Sequence, residues 1–284
     1  MTNRAEGVFD MLVNVKQILA KAKEQNYCIV APNICNETTA RAAIEVAEEM
    51  RVPSILDVCP WHTCDLEFLG FIASRLGQRS SVPIALQLDH TATFEDSIRA
   101  IRSGYTSIML DKSALPFDDN AAQVKELVKI AHAVDITVEA ELGNVGMGSQ
   151  YDKDGEDGLT IPEEAIEYVR ITGCDALAVA IGTAHGAYKG TPKLHFDLLT
   201  ELRKSLTLPL VLHGGSGSGD ENLKRAAMSG ITKINIASDL YAAGEANLPH
   251  DRRTAYFAFD KLAAGYKDKY RYYVELLGKP GSAD

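Results

Sequence analysis

The stretch Leu210-Val-Leu-His-Gly-Gly-Ser216 joins a short apolar run to a histidine and two glycines. Two other apolar runs also end in a histidine, in Gln87-Leu-Asp-His90 and in Ala178-Val-Ala-Ile-Gly-Thr-Ala-His-Gly186. If these runs are strands of one parallel barrel, the three imidazoles converge at its carboxyl end. Three neutral histidines that leave a fourth position open form a catalytic zinc site. The pattern therefore predicts both a barrel and a metal enzyme.

From about residue 27 onward, short apolar runs alternate with segments of helical periodicity, which is typical of a parallel sheet covered by helices. We predict a single α/β domain over residues 1–284, a (β/α)8 TIM barrel with a C-terminal helical extension. An additional N-terminal helix, about Val8–Glu24, is expected to plug the bottom of the barrel. The predicted strands are Tyr27–Pro32, Ser54–Val58, Ile84–Leu88, Ser107–Leu110, Thr137–Leu142, Ala176–Ile181, Leu208–Leu212 and Lys233–Ala237.

The composition argues against several classes of function. The chain has 29 Lys and Arg against 39 Asp and Glu, a formal net charge of −10, which disfavours nucleic acid or an anionic membrane as the main partner. No apolar stretch approaches the roughly 20 residues of a membrane span. Five cysteines without a C-x-x-C pair, and no signal-peptide pattern, favour free thiols in a reducing cytoplasm.

Carboxylates accompany the histidines at the predicted strand ends. Asp89 directly precedes His90, and at the tip of a strand the two side chains can enter one cavity as an acid–base group and a ligand. Asp111 follows the fourth strand. Glu139 and Glu141 alternate along the fifth strand, so both project to the same side.

Inward-facing carboxylates in a barrel need a cation or a hydrogen-bond network. Asp111 and Glu141 could orient a zinc ligand or hold the metal at a second position. The alternative is a buried ion pair with Lys112 or Lys233.

Two segments have the composition of a phosphate site, His213-Gly-Gly-Ser-Gly217 after the seventh strand and Asn235-Ile-Ala-Ser238 after the eighth. Glycines let backbone N–H groups approach a ligand, and a helix N-terminus adds positive potential. Barrels most often hold phosphate after these two strands. The Gly- and Asp-rich segment Gly143–Gly158 indicates a mobile active-site loop, with a solvated surface excursion as the alternative.

The remaining histidines lack the strand-end placement, with one exception. His132, His195 and His250 are expected to be structural or solvated. His62 follows the second strand on the predicted active face, in Cys59-Pro-Trp-His62, and is a candidate for direct substrate contact.

Over approximately residues 10–245, the chain closely resembles the class II, metal-dependent fructose-bisphosphate and tagatose-bisphosphate aldolases. The segments that carry the resemblance are Leu88-Asp-His90, Val138-Glu-Ala-Glu-Leu-Gly143, Ala178-Val-Ala-Ile-Gly-Thr-Ala-His-Gly186, Pro209-Leu-Val-Leu-His-Gly-Gly-Ser216 and Lys233-Ile-Asn-Ile-Ala-Ser-Asp239.

The resemblance implies a role for each matching residue. His90, His185 and His213 would bind the catalytic Zn²⁺, which stabilises the enediolate left when the C3–C4 bond breaks, and Asp89 would handle the hydroxyl proton at that bond. Asp111 and Glu141 match carboxylates near an alternative metal position. Asn33 matches a substrate-side asparagine. The cradle for dihydroxyacetone phosphate, often with Na⁺ or K⁺ beside it, would comprise Gly186, Gly214, Gly215, Ser216, Asn235 and Ser238.

Three segments depart from the family pattern. Glu156 is the nearest glutamate to the place of the family's loop base. Asp57-Val-Cys-Pro-Trp-His62 replaces the small residues or serine that commonly follow the second strand, which would alter the aldehyde end of the pocket. After residue 245, no arginine clearly matches the one that binds a distal phosphate, although Arg252, Arg253 or Arg271 could serve.

The sequence therefore predicts a cytoplasmic lyase of carbohydrate metabolism. The expected substrate is a ketose 1-phosphate or 1,6-bisphosphate of the fructose or tagatose type, cleaved as in glycolysis to dihydroxyacetone phosphate and an aldehyde. A homodimer or homotetramer is expected, with Tyr266, Tyr270 and Tyr273 packing at a subunit or core contact. The alternatives are a zinc barrel with epimerase or hydrolase activity and a non-catalytic sugar-phosphate sensor.

Overall fold

Eight parallel strands make up the sheet of the computed structural model, which describes residues 11–146, 158–186, 188, 190–249 and 257–283. The strands are β1 (Ile29–Pro32), β2 (Ser54–Val58), β3 (Ile84–Thr91), β4 (Ser107–Leu110), β5 (Thr137–Leu142), β6 (Ala176–Val179), β7 (Leu210–Leu212) and β8 (Ile231–Ile236). They follow one another in the order β1-β8-β7-β6-β5-β4-β3-β2, and a parallel bridge between Asn33 and Asp57 brings the two edge strands together. The predicted (β/α)8 barrel is confirmed.

Helices surround the barrel, and several begin at a side chain that caps the first turn. Asn36 accepts a hydrogen bond from Thr39 N at 3.0 Å, and Asp65 accepts one from Phe68 N at 2.8 Å. A 3₁₀ turn covers Pro60–His62. The helices are α1 (Val15–Glu24), α2 (Glu37–Met50), α3 (Leu66–Gln78), α4 (Phe94–Arg102), α5 (Phe117–His132), α6 (Pro162–Thr172), α7 (Phe196–Ser205), α8 (Asp220–Met228), α9 (Ser238–Ala246) and α10 (Ala258–Leu277).

Helix α1 closes the amino-terminal end of the barrel, as predicted, but it begins later than the sequence suggests. Val15, Ile18, Leu19 and Ala22 pack against the small and branched side chains at the bottom of the strands. The predicted start at Val8 falls outside the described residues. Leu12 forms a parallel bridge with Ile84 of β3, and the helix starts at Val15 because the Asn14 side chain caps it there.

Strand ends also differ from the prediction by up to three residues, since hydrogen bonding rather than apolar character decides them. Tyr27 N bonds to Ala22 O at 3.0 Å, so the chain at Tyr27 completes the end of α1 and β1 starts at Ile29. Likewise β6 ends at Val179, β7 starts at Leu210, and β8 covers Ile231–Ile236.

The C-terminal extension is helix α10, and its aromatic face packs into the body of the same chain. Tyr266, Tyr270 and Tyr273 are all buried. The Tyr266 hydroxyl donates to Asn33 O at 2.8 Å, and the Tyr270 hydroxyl lies 2.8 Å from Ser54 Oγ. The sequence predicted a subunit contact or a core contact for these tyrosines, and the structure shows the core contact. None of the helices in the described ranges is both long and apolar enough to span a bilayer.

Candidate active site

Strand β3 extends to Thr91 and contains an irregularity that places two adjacent polar side chains in one cavity. The register between β3 and β4 shifts between Leu88 and Thr91, and His90 has φ of 50°. This left-handed conformation is uncommon for a residue other than glycine and is often found at functional sites. It reverses the usual alternation along the strand, so that Asp89 and His90 line the same pocket.

The three predicted histidines come together at the carboxyl end of the barrel. One ring nitrogen from each of His90, His185 and His213 lies within 4.8 Å of the other two. The ring centroid of His90 is 4.5 Å from that of His185 and 4.4 Å from that of His213. This is the convergence that a shared ligand requires.

Each histidine has one ring nitrogen held by a neighbouring group, and the other makes no well-aligned hydrogen bond. The held nitrogens are His90 Nδ1, 2.9 Å from Asp111 Oδ2, His185 Nδ1, 3.1 Å from Val145 O, and His213 Nε2, 2.8 Å from Glu139 Oε1. The nitrogens without a hydrogen bond of good geometry are His90 Nε2, His185 Nε2 and His213 Nδ1, the last of which lies 3.2 Å from Glu141 Oε2. A metal-ligating histidine usually has its second nitrogen fixed by an outer hydrogen bond. The donor set therefore fits a divalent metal such as Zn²⁺.

The electrostatic surroundings also suit a cation. Burial lowers the pKa of His185 to about 4, with the neighbouring histidines acting in the same direction, so its ring is neutral at pH 7. Burial would likewise lower the pKa of His213, but Glu139 and Glu141 raise it to about 10. The two carboxylates thus favour positive charge at His213, whether it comes from a proton or from a metal ion.

Asp111 and Glu141 form a second possible ligand group with His90. Asp111 Oδ1 accepts hydrogen bonds from Ser113, and Asp111 Oδ2 faces the His90 ring. Glu141 Oε2 has no hydrogen-bond partner and lies 4.0 Å from His90 Nδ1. The predicted placement of both carboxylates beside the histidines agrees with this geometry.

Glu139 projects to the same side as Glu141 but belongs to a buried polar layer beneath the histidines. Lys233 Nζ lies 3.0 Å from Glu139 Oε2 and 3.2 Å from Asp57 Oδ2, and Gln87 Nε2 donates to Glu139 at 3.0 Å. From the sequence, an ion pair with Lys233 was the alternative to a metal role for Asp111 and Glu141, but Lys233 pairs with Glu139 and Asp57. Gln87 was missed, although a polar residue inside an apolar strand was the available signal. Asp57, which the sequence assigned to the segment at the aldehyde end of the pocket, lies in this buried layer instead.

Asp89 is buried and held by neutral donors. Its carboxylate accepts from Asn33 Nδ2 and Asn235 Nδ2, both at 3.2 Å, and the Cys59 thiol lies 3.3 Å from Oδ2. Burial would raise the pKa of Asp89, but His90 and His213 hold it well below its usual value. An ionised carboxylate with this orientation can accept a proton from a group bound in the cavity.

The predicted phosphate cradle lines the same cavity. All six of its residues, and Asn33, face that space: Gly186, Gly214, Gly215, Ser216, Asn235 and Ser238. Gly214 has φ of 68°, and a Cβ there would overlap the carbonyl oxygen of Ala184. Ser216 Oγ accepts from Ala237 N at 3.1 Å, at the start of α9. Glycine at these positions permits the close backbone approach that binds an anion.

Trp61, His62 and Tyr241 line the cavity on the side of β2, and we call them the aromatic wall. The His62 ring meets the Tyr241 ring edge-on, with centroids 5.6 Å apart. Burial lowers the pKa of His62, although Asp89 opposes the shift. The sequence indicated His62 but not Tyr241, which comes from α9 and has no local signal.

The other predicted residues lie away from the cavity or outside the described ranges. His132 pairs with Asp175 at 2.8 Å, and His195 precedes α7. Arg271 is held by Glu49 and Asp268. Glu156, residues 147–157 of the Gly143–Gly158 segment, His250, Arg252 and Arg253 lie outside the described residues. Asn144 and Val145, at the start of that segment, line the cavity.

Comparisons with known proteins agree with the fold and the site. The family model for "Fructose-bisphosphate aldolase class-II" matches residues 13–281. The structure is similar to the YdjI aldolase from Escherichia coli K12, with a TM-score of 0.87 and 31% identity over 96% of this chain and 100% of that chain. A putative fructose-1,6-bisphosphate aldolase from Coccidioides immitis has a TM-score of 0.86 and 26% identity, with 95% and 98% of the two chains covered. Fructose-bisphosphate aldolase from Campylobacter jejuni has a TM-score of 0.80 over 98% of this chain and 100% of that chain, and at 20% identity it supports the fold.

Proposed function

The chain belongs to the class II fructose-bisphosphate aldolase family, and from this premise we propose that it cleaves a ketose 1-phosphate or 1,6-bisphosphate reversibly to dihydroxyacetone phosphate and an aldehyde. One observation carries the proposal. His90 and His185 line the same cavity as Asp89 and a glycine-lined cradle, and one ring nitrogen of the buried His213 lies within 4.8 Å of a ring nitrogen of each of them. A carbon–carbon lyase of this kind needs an electrophile, a proton acceptor and a phosphate site within one substrate length.

His90, His185 and His213 would hold a divalent metal, for which we propose Zn²⁺. When bound, Zn²⁺ would polarise the substrate carbonyl and stabilise the negative charge that develops on the three-carbon fragment. Asp111 fixes the His90 ring, and Glu141 adds negative charge beside it. Histidine and carboxylate ligands also accept cobalt, iron or manganese.

Asp89 would take the proton of the C4 hydroxyl as the aldehyde leaves, and would return it in the synthetic direction. The two asparagine amides that hold its carboxylate direct it without adding charge. The backbone at Gly214 and Gly215, with Ser216 and Ser238, would bind the phosphate, with Na⁺ or K⁺ beside it. Glu156 is our candidate for the base that exchanges a proton at C3.

Metal removal and restoration test this proposal. Cleavage of ketose phosphates should be abolished by EDTA and restored by Zn²⁺ or Co²⁺, because the unpaired histidine nitrogens are the ligands. Full activity of protein verified to be metal-free would refute the proposal. Release of inorganic phosphate, or epimerisation without aldehyde formation, would instead identify a hydrolase or an epimerase. Binding of dihydroxyacetone phosphate without exchange of its C3 proton would identify a sensor.

We also propose that the protein acts in the cytoplasm as a homodimer or homotetramer. The buried tyrosines of α10 do not bear on assembly, but Phe257 and Phe259 are exposed at its start. Light scattering across a range of protein concentrations would measure the mass, and a constant monomer mass would contradict this part of the proposal.

A further inference from the structure

The turn that follows β2 holds an indole ring at the cavity. Trp61 lines the pocket, yet 65% of its surface is exposed. The turn is fixed by Pro60 in its first position and by a 3.0 Å hydrogen bond from His62 N to Cys59 O. A large aromatic ring held in solvent at the edge of a binding cavity is suited to covering a ligand.

The position of this ring relates it to the reaction. The Trp61 ring centroid lies 6.2 Å from that of His90 and 6.0 Å from that of His62. Cys59, at the start of the same turn, contacts the carboxylate of Asp89. Trp61 and His62 therefore flank Asp89 on the side of β2, whereas the cradle follows β7 and β8, and Tyr241 of α9 contacts the His62 ring. With the phosphate of dihydroxyacetone phosphate in the cradle, the departing aldehyde would extend toward Trp61.

The chemistry of this side of the cavity suits an uncharged chain. An indole covers carbon-bound hydrogens, and a neutral imidazole exchanges hydrogen bonds with hydroxyl groups. Burial lowers the pKa of His62, so the ring is neutral at pH 7 and does not attract a phosphate as a cation would. Asp89 and Asp111 line the same space, and no lysine or arginine is among the described residues that line it. Two carboxylates would repel a second phosphate group.

We propose that the aromatic wall recognises the aldehyde portion as an uncharged polyhydroxylated chain, so that the substrate class is a ketose 1-phosphate without a distal phosphate. This inference rests on the proposed aldolase function. It assigns Trp61 and His62 as the specificity-determining residues for the end of the substrate remote from the cradle.

A matched pair of aldehydes tests the inference in the synthetic direction. Zn²⁺-loaded enzyme is supplied with dihydroxyacetone phosphate and either erythrose or erythrose 4-phosphate, and kcat/KM is referred to the open-chain aldehyde because only erythrose can close to a furanose. We expect kcat/KM to be at least about tenfold higher for erythrose, because the two carboxylates repel the phosphorylated chain. A preference for erythrose 4-phosphate would overturn the inference. Loss of the preference for erythrose 4-phosphate in Arg252→Ala would then identify Arg252 as the residue that binds the distal phosphate.

Variants of the wall connect the preference to Trp61. Trp61→Ala should lower kcat/KM for erythrose about tenfold, the effect expected when a ring no longer covers roughly 50 Å² of carbon surface. Trp61→Phe should retain most of the activity. Phe68→Ala is the matched control, because Phe68 is 61% exposed on α3 and does not line the cavity. An equal loss in Trp61→Ala and Phe68→Ala would refute the role of the wall.

A half-reaction tests the aldolase function separately from the proposed substrate class. Exchange of the C3 proton of dihydroxyacetone phosphate with deuterated solvent needs no aldehyde. Exchange without a preference for erythrose would overturn the substrate class alone. Absence of both exchange and condensation in Zn²⁺-loaded enzyme would overturn the aldolase function and the inference together.

Discussion

Replacement of Lys233 by methionine should strongly destabilise the protein. The Lys233 side chain is 0% exposed, and its ammonium group lies 3.0 Å from Glu139 and 3.2 Å from Asp57. Methionine has a similar length and fills most of the space, so the main effect is to leave buried carboxyl groups without their cation. Breaking a buried ion pair from one side typically costs about 3–5 kcal/mol.

Lys267→Met provides a matched control at the same distance. Lys267 Nζ is also 3.0 Å from its partner, Glu45, but the two side chains are 24% and 52% exposed. An exposed pair contributes at most about 1 kcal/mol. Urea unfolding of both variants in excess EDTA measures the free energy of unfolding without a contribution from metal binding. A loss in Lys233→Met no larger than that in Lys267→Met would refute the assignment of this layer as a charged network.

The pH dependence supplies a second check on Lys233→Met. Burial would raise the pKa of Glu139, but Lys233 and His213 lower it from 4.5 to about 2. A lowered folded-state pKa gives stability that is present above pH 4.5 and is lost as the pH falls toward 2. Lys233→Met lacks most of this contribution, so the difference in free energy of unfolding between the variant and the wild type should shrink below pH 5. A difference that stays constant or grows on acidification would contradict the argument.

Three further changes test the candidate site. Asp89→Asn should lower kcat for cleavage about 10²- to 10⁴-fold while the protein retains bound zinc, and unchanged turnover would exclude Asp89 as the base. Asp111→Ala should weaken zinc binding about 10- to 100-fold in a chelator competition, because His90 Nδ1 loses its partner; unaltered affinity would show that His90 is oriented without it. Gly214→Ala should lower the free energy of unfolding by about 1–3 kcal/mol more than Gly219→Ala. Both glycines have a positive φ, but of the two only Gly214 lies where a Cβ would overlap a backbone oxygen. Equal melting temperatures of the two variants would count against this tight packing.

The sequence predicted the barrel and the convergence of the histidines for one physical reason. Parallel strands present their carboxyl ends at one face, so a histidine at the end of an apolar run enters the same cavity as another. The shared cavity of Asp89 and His90 depends on the positive φ of His90, and no sequence pattern encodes that conformation. The start of α1 depends on the Asn14 cap, which the periodicity alone did not locate.

Contacts across the barrel were less predictable than contacts along a strand. Glu139 and Glu141 were expected on the same side, and they are, but their different partners depend on which side chains lie opposite each of them. Lys233 reaches Glu139 from β8, three strands away in the sheet order. The aromatic wall likewise combines the β2 turn with Tyr241 of α9, and the distance along the chain gives no indication of that pairing.

The order of the polar residues along the chain has a consequence for how such an enzyme can diversify. Asp89 adjoins His90, and Gly214 adjoins His213, so a shift of either histidine moves a proton acceptor or an anion-binding backbone with it. An insertion or a loop exchange at those strands would disturb chemistry and binding together. The Trp61 turn contains none of these residues, and its backbone is closed by its own hydrogen bond. Directed evolution toward new aldehydes should therefore begin with Pro60–His62, where selectivity can change while bond cleavage is left intact.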